Sequence, residues 1–356
     1  MKNLTELLSI QLPVIQAPMA GAQDSRLAVA VCRAGGLGSL PAAMLSVESL
    51  RSELAAIRRQ TDRPYNVNFF CHAPPEPDAA REALWRQTLA PYYEELGLEG
   101  GALPGGPARA PFSQEAAAVL AEHPPAVVSF HFGLPTAELV ARVRQGGSKI
   151  LASATTVHEA LWLEAHGVDV IIAQGLEAGG HRGNFLSPDL TLQLATFALL
   201  PQVVRAVRVP VVAAGGIADA KGVAAAMALG AAGVQVGTAY LLCPEAGTSA
   251  VYRAALQSEA ARHTALTNLF SGRPARGIVN RLMKELGPMR AAVPEFPLAA
   301  AALGPLRAKA ESEGRSDFSP LWSGQNASGC RALPAAEITR ELGAGGARTP
   351  LRRPDV

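Results

Sequence analysis

Val212-Ala-Ala-Gly-Gly-Ile217 and Val234-Gln-Val-Gly-Thr-Ala239 repeat one plan: a short apolar run that ends in glycine. Small and β-branched residues without polar alternation read as a strand buried on both faces, the habit of a parallel sheet. The glycine that follows lets the backbone turn tightly where the strand leaves the sheet. Earlier in the chain the same kind of run occurs at 13–16, 36–40, 65–70, 126–131, 149–154 and 169–174, and the two quoted stretches complete the set as 210–214 and 233–236. Helical patterns fall between them, at 26–34, 47–60, 136–145, 157–166, 190–206 and 219–229. Thr156 and Asp219 stand where N-caps belong, and Gly167 and Gly230 where helices should stop. Eight strand–helix units in a row predict an α/β protein with a closed TIM (β/α)8 barrel rather than an open doubly wound sheet.

Two stretches break this rhythm. Residues 73–125 form an insertion after the third strand, with the loop-like GLEGGALPGGPARAPF (97–112) in its middle. After Leu242 the alternation stops, and the chain reads as helices at 249–263, 299–313 and 334–342 joined by Pro- and Gly-rich turns. The expected organisation is a barrel domain over 1–242, a smaller C-terminal helical domain over 243–342 lying over the barrel mouth as a substrate lid, and a loose tail over 343–356.

Composition narrows the class. Of 356 residues, 49% are hydrophobic and 17% charged, enough apolar surface to offset the entropy of ordering, which excludes a disordered chain. Basic and acidic residues nearly balance at 32 and 30, whereas a nucleic-acid partner calls for a large basic excess. The four cysteines are scattered singly, so they read as free thiols in a reducing cytoplasm. No apolar stretch is long enough to span a membrane, and the start reads without a signal peptide. A soluble, cytoplasmic protein is expected, as monomer or homodimer.

In barrels a phosphate commonly docks on the loops after the seventh and eighth strands, where amide groups and a helix N-terminus point at it. Gly215 and Gly216 would let the backbone approach such a group, and Gly237 with Thr238 adds a second small turn and a hydroxyl. Tight turning alone would account for a single glycine pair; two such turns at these positions favour phosphate. Gln16-Ala-Pro-Met19, Asn66-Val-Asn68, Ser129-Phe-His131, Ser153 and Gln174 sit at the other strand ends. Amides and hydroxyls ringed around an apolar mouth suit the edge groups and flat faces of an isoalloxazine, so FMN is the expected cofactor.

Gln174-Gly-Leu-Glu-Ala-Gly-Gly-His-Arg-Gly183 places one imidazole between glycines after the sixth strand. At that position His181 can take a proton from an acidic C–H or stabilise an anionic substrate. Glu177 either orients the loop, pairs with Arg182 or is solvated. His131, at the end of the fourth strand, faces either the site or the packed rim. Cys71 and His72 adjoin, but no further ligand at metal spacing accompanies them, so no metal is expected.

Taken together these motifs resemble the nitronate monooxygenase family, its bacterial class I in particular. The residues are IQAPMAG (15–21), AGGLGS (34–39), YNVNFFCH (65–72), SFHFG (129–133), AQGLEAGGHRG (173–183), PVVAAGGIAD (210–219), VQVGTAYLLCPEA (234–246) and SGRPARG (271–277). The resemblance implies FMN held by Gln16, Ala17, Pro18, Met19, Asn68, Gln174, Gly179, Gly180, Gly216, Gln235, Val236, Gly237 and Thr238, with His181 as the catalytic histidine. It implies oxidation of an alkyl nitronate, propionate 3-nitronate being the usual one, with O2 as partner, to a carbonyl compound and nitrite or related nitrogen oxides. PLAAAALG (297–304) departs from the pattern, being small and apolar where bulkier, more polar residues facing the substrate are expected. A carboxylate on the substrate would need a cation, for which Arg182, Arg273 and Arg276 are candidates. An FMN-dependent NAD(P)H reductase of a quinone or an enoyl thioester is the main rival on the same barrel, and a non-catalytic flavin carrier another. An inosine monophosphate dehydrogenase type of barrel needs a nucleophilic Cys after the sixth strand, and residues 175–189 hold none.

Overall fold

Residues 3–98 and 109–346 are described by the computed structural model. The centre of the loop 97–112, and the expected tail from residue 347 onward, lie outside them. The strands are β1 (Val14–Gln16), β2 (Gly38–Pro41), β3 (Tyr65–Phe70), β4 (Val127–His131), β5 (Lys149–Ala154), β6 (Val170–Gln174), β7 (Gly180–His181), β8 (Val211–Ala214), β9 (Gly233–Val236), β10 (Thr264–Thr267) and β11 (Ala275–Ile278).

Eight of these pair in parallel in the order β1-β9-β8-β6-β5-β4-β3-β2. An Ile15–Leu37 bridge returns β1 to β2 and closes the ring. These are the eight runs read from the sequence, each end within two residues of its expected place. They are buried on both faces because the outer helices cover one side and the interior is filled on the other. Leu4 and Leu8, on the short helix Leu4–Leu8, pack with Ile15, Leu37, Val127, Leu151, Val170, Ile172 and Val212 inside the ring. Burial of such a leucine contributes roughly 2–3 kcal/mol. The interior is thereby plugged beneath the strands, and the C-terminal strand ends are left to form a mouth. Thr156 and Asp219 cap their helices as expected, accepting from the amides of Glu159 and Gly222.

The second core unites two segments far apart in sequence. From the insertion, helix Ala79–Glu95 contributes Trp85, Leu89 and Tyr92; from the C-terminal part come Phe270, Leu282, Leu303, Leu306 and Phe318. Here the structure corrects the reading of PLAAAALG. Ala299 and Ala302 lie on helix Ala299–Ser312 against the Trp85 helix, not on a substrate-facing surface. Trp85 donates its indole N–H to the Ala299 carbonyl at 3.3 Å, and Tyr93 donates its hydroxyl to the Ala302 carbonyl at 2.7 Å. Small side chains are what let two aromatic residues reach that backbone.

Two further differences stand out. The C-terminal part is not helical throughout: β10 and β11 pair antiparallel, and β11 pairs with β7, setting Ala275 opposite His181. Also, helix Ala335–Ala344 lies on the barrel wall rather than over the mouth, packed between helices Ser25–Arg33 and Ala220–Ala228. Its Ala335, Ile338 and Leu342 belong to the barrel core. Among the described residues no helix is long and apolar enough to cross a membrane.

Candidate active site

One cavity opens at the C-terminal ends of the barrel strands. Ala17, Pro18, Met19, Asn68, His131, Gln174, Gly179, Gly180, His181, Gly215, Gly216, Gln235, Val236, Gly237 and Thr238 all line it. The rim after β8 and β9 is backbone. Gly215 and Gly216 have φ of 118° and 74°, the left-handed region that glycine adopts without a steric cost. A Cβ on Gly215 would lie 2.8 Å from the Thr196 hydroxyl oxygen. Among the described residues the amides of Gly216, Ile217, Gly237 and Thr238 donate to no protein acceptor. Four amides left open at adjoining turns fit an anion held by dipoles. The side-chain oxygen of Gln235 is likewise buried without a partner.

The histidine loop is clamped on both sides. Gln174 donates to the His181 carbonyl at 3.0 Å and accepts from the Gly183 amide at 2.8 Å. His131 Nε2 lies 3.1 Å from the same carbonyl, so that nitrogen carries the proton and donates, while Nδ1 accepts from the Ser153 hydroxyl at 3.1 Å. His131 therefore faces the cavity and positions the loop. Arg182 is fully buried and engaged by Gln193 Oε1 and the carbonyls of Gly175 and Gln174 at 2.7–2.8 Å. Burial draws its guanidinium down to about 10. Glu177 orients the loop from below: its carboxylate accepts from the amide and hydroxyl of Thr196 at 2.8 and 2.9 Å, at the start of helix Thr196–Ala206.

The imidazole of His181 lies 2.9 Å, through Nε2, from the hydroxyl of Ser271, which is itself fully buried. Ser271 donates its one proton to the Arg273 carbonyl at 3.3 Å. It therefore accepts from His181 Nε2–H, and Nδ1 is left as the basic nitrogen. Burial is the main cause holding His181 well below its usual range; the charge of Arg109, then His131, Arg273 and His72, add to it. The ring is neutral at pH 7. Aromatic neighbours dry its surroundings: the Phe296 and Trp322 rings are centred 5.3 and 5.4 Å away, Phe70 and Phe132 both 6.1 Å. Phe132 has a left-handed backbone, φ 71°, and carries Arg273 over its ring at 4.0 Å.

Several sequence expectations change here. Gln16 does not line the cavity. It is fully buried, accepts from the Ser39 amide at 3.0 Å and donates to Gln23 at 2.6 Å, bracing β1 against β2. Of the three candidate cations, none lines the cavity. Arg182 is held as described, Arg276 donates to the Leu176 carbonyl at 2.8 Å and to Thr264, and Arg273 donates to the Asn184 carbonyl. The cavity does include Arg109, Arg307, Tyr252 and Trp322, which sequence reasoning passed over. Ser271 opens the quoted SGRPARG motif; Arg109 stands alone in a Gly- and Pro-rich stretch and gave no signal.

A parallel barrel whose mouth joins an anion cradle to a neutral, buried imidazole defines a barrel oxidoreductase site of the cofactor-binding kind. The profile of the nitronate monooxygenase family matches residues 1–345, and the chain belongs to that family. It is 44% identical over 343 residues to a nitronate monooxygenase of Paraburkholderia phytofirmans, covering 96% of this chain and 94% of that one. It is 43% identical over 348 residues to a nitronate monooxygenase of Pseudomonas aeruginosa, covering 96% and 97%. Among solved structures it is similar to the nitroalkane oxidase of Streptomyces ansochromogenes, with TM-score 0.87, 40% identity and 97% of each chain covered. FabK from Thermotoga maritima shares the architecture at TM-score 0.71 and 27% identity, over 97% of this chain and 96% of that one.

Proposed function

We propose that this protein oxidises alkyl nitronates with O2, using bound FMN, to a carbonyl compound and nitrite or related nitrogen oxides. The observation that carries the reading is the juxtaposition of His181, fixed by Ser271, with a glycine rim whose amides are unengaged, in one cavity of a family member. The open amides of Gly216, Ile217, Gly237 and Thr238 would hold the phosphate, and Gln235 would meet a polar edge of the ring. When bound, the flavin supplies the electron acceptor that passes reducing equivalents to oxygen.

The chain's own residues supply binding and proton control. Neutral His181 presents Nδ1 to the substrate; it takes the acidic α-proton where a neutral nitroalkane is offered and retains it beside the nitronate formed. Ser271 keeps the ring from turning, and Gln174 and His131 keep its backbone from drifting. The aromatic shell of Phe70, Phe132, Phe296 and Trp322 excludes water from the reacting carbon.

The test is anaerobic mixing of the purified yellow protein with propyl-1-nitronate and, separately, with NADH. Bleaching by the nitronate alone is the expected result. A colourless protein that takes up no FMN would sink the reading outright; a yellow protein bleached by neither would favour the carrier, and bleaching by NADH with none by the nitronate would favour the reductase.

A further inference from the structure

Arg109 is the one cavity-lining arginine with no counter-charge among the described residues; Arg307, the other, pairs with Glu311 at 2.8 Å. The Arg109 guanidinium carbon lies 5.9 Å from the centre of the Phe296 ring, and that same centre is 5.3 Å from the centre of the His181 ring. Arg109 and His181, which both line the cavity, thus flank one aromatic side chain. Arg307 stands near enough for its charge to oppose that of Arg109. A guanidinium withdrawn from water without an anion is costly, and two guanidiniums in one cavity more so. Glu177 also lines the cavity, but its carboxylate is taken up by Thr196.

We propose that Arg109 is a specificity-determining residue: it pairs with a second anionic group, a carboxylate, on a nitronate whose reacting end lies at His181. The planar fork of an arginine suits a carboxylate through two parallel hydrogen bonds. A nitronate without that group leaves Arg109 unpaired and gains nothing from it. This assignment rests on the nitronate reading above, and it moves the carboxylate site from Arg182, Arg273 and Arg276 to a residue in the insertion.

The experiment compares kcat/KM for propionate 3-nitronate and butyl-1-nitronate in the FMN-loaded protein, its Arg109→Gln and its Arg109→Lys variants. Arg109→Gln is expected to lose about a hundredfold on the carboxylate substrate and to stay within about threefold on the other. Arg109→Lys, which keeps the charge without the fork, is expected to lose about tenfold on the first alone, and it reads the same ratio if the glutamine variant does not fold. Independently of turnover, succinate is titrated against the flavin spectrum, and Arg109→Gln is expected to weaken its binding at least about tenfold. Equal losses on both nitronates, or unchanged succinate binding, would overturn the proposal. If the parent protein turned over neither nitronate, the functional reading would fail, while the succinate titration would still decide whether Arg109 binds carboxylates.

Discussion

The two walls of the cavity are built on opposite plans. The rim after β8 and β9 is local: two stretches of a few residues each, glycine-rich, offering backbone amides and no charged side chain. The facing wall presents Phe70, Arg109, His131 and His181, with Ser271 and Phe296 behind the histidine, so that the barrel, the insertion and the C-terminal part all contribute. Its chemistry resides in side chains whose properties depend on one another: burial keeps His181 neutral, and Arg109 adds to that. A backbone cradle needs only the right turn, whereas a side-chain wall needs the whole tertiary fold.

The comparison breaks most sharply at Gly215. Its φ of 118° and the nearby Thr196 hydroxyl leave no room for a branched side chain. Gly215→Val is expected to give a chain that purifies without colour, read by visible absorbance and by flavin released on denaturation. On the other wall, His181→Gln should keep the colour and lose turnover of neutral 1-nitropropane, whose α-proton that imidazole removes, by about 10²–10⁴-fold relative to the parent. If both variants lost colour together, the two walls would not be separable.

Next comes the second core. Trp85→Ala removes a fully buried indole and its hydrogen bond to Ala299, a change expected to cost about 3–5 kcal/mol. Flavin should remain bound while KM for the nitronate rises, because the barrel rim does not use this core. Denaturation followed in parallel by flavin release and by tryptophan fluorescence would show the two regions parting.

The smallest effect, taken one histidine at a time, is the pH dependence of stability. In the unfolded chain a histidine takes up a proton as pH falls through about 6.5. Burial holds His131 and His72 at about 4 in the folded protein, so the folded state does not take up that proton until lower pH. Stability is therefore full above pH 6.5 and is lost as pH falls toward 4, by about 2 kcal/mol per histidine at pH 5. Urea midpoints at pH 7 and pH 5 measure it, and His131→Asn should flatten the slope.

The barrel was legible because its signals are short-range. Apolar runs closed by glycine, with Thr156 and Asp219 as caps, describe each unit without reference to the others. The glycine rim was legible for the same reason. The strands β10 and β11 were not: Thr264–Thr267 and Ala275–Ile278 are each four residues long, and their pairing to β7 joins residues far apart in sequence. Ala299 and Ala302 misled because alanine reads as an empty surface, while its small size is what admits Trp85. The three arginines near the histidine and in SGRPARG were attractive by position, but a buried cation finds backbone carbonyls first, and only packing shows which one is left unengaged.

The helix Ala335–Ala344 has a bearing on how the molecule comes into being. It seals the groove between helices Ser25–Arg33 and Ala220–Ala228, and its Thr339 meets the Tyr240 hydroxyl at 2.9 Å. During synthesis the strands and most of their covering helices emerge long before this stave arrives, so a greasy seam stays open while the intervening segment is made. Ribosomes that stall before residue 335, or proteolysis there, would release a chain with that seam exposed and a tendency to clump. A protein truncated at residue 334 should accordingly collect in the insoluble fraction even though every cavity-lining residue is present.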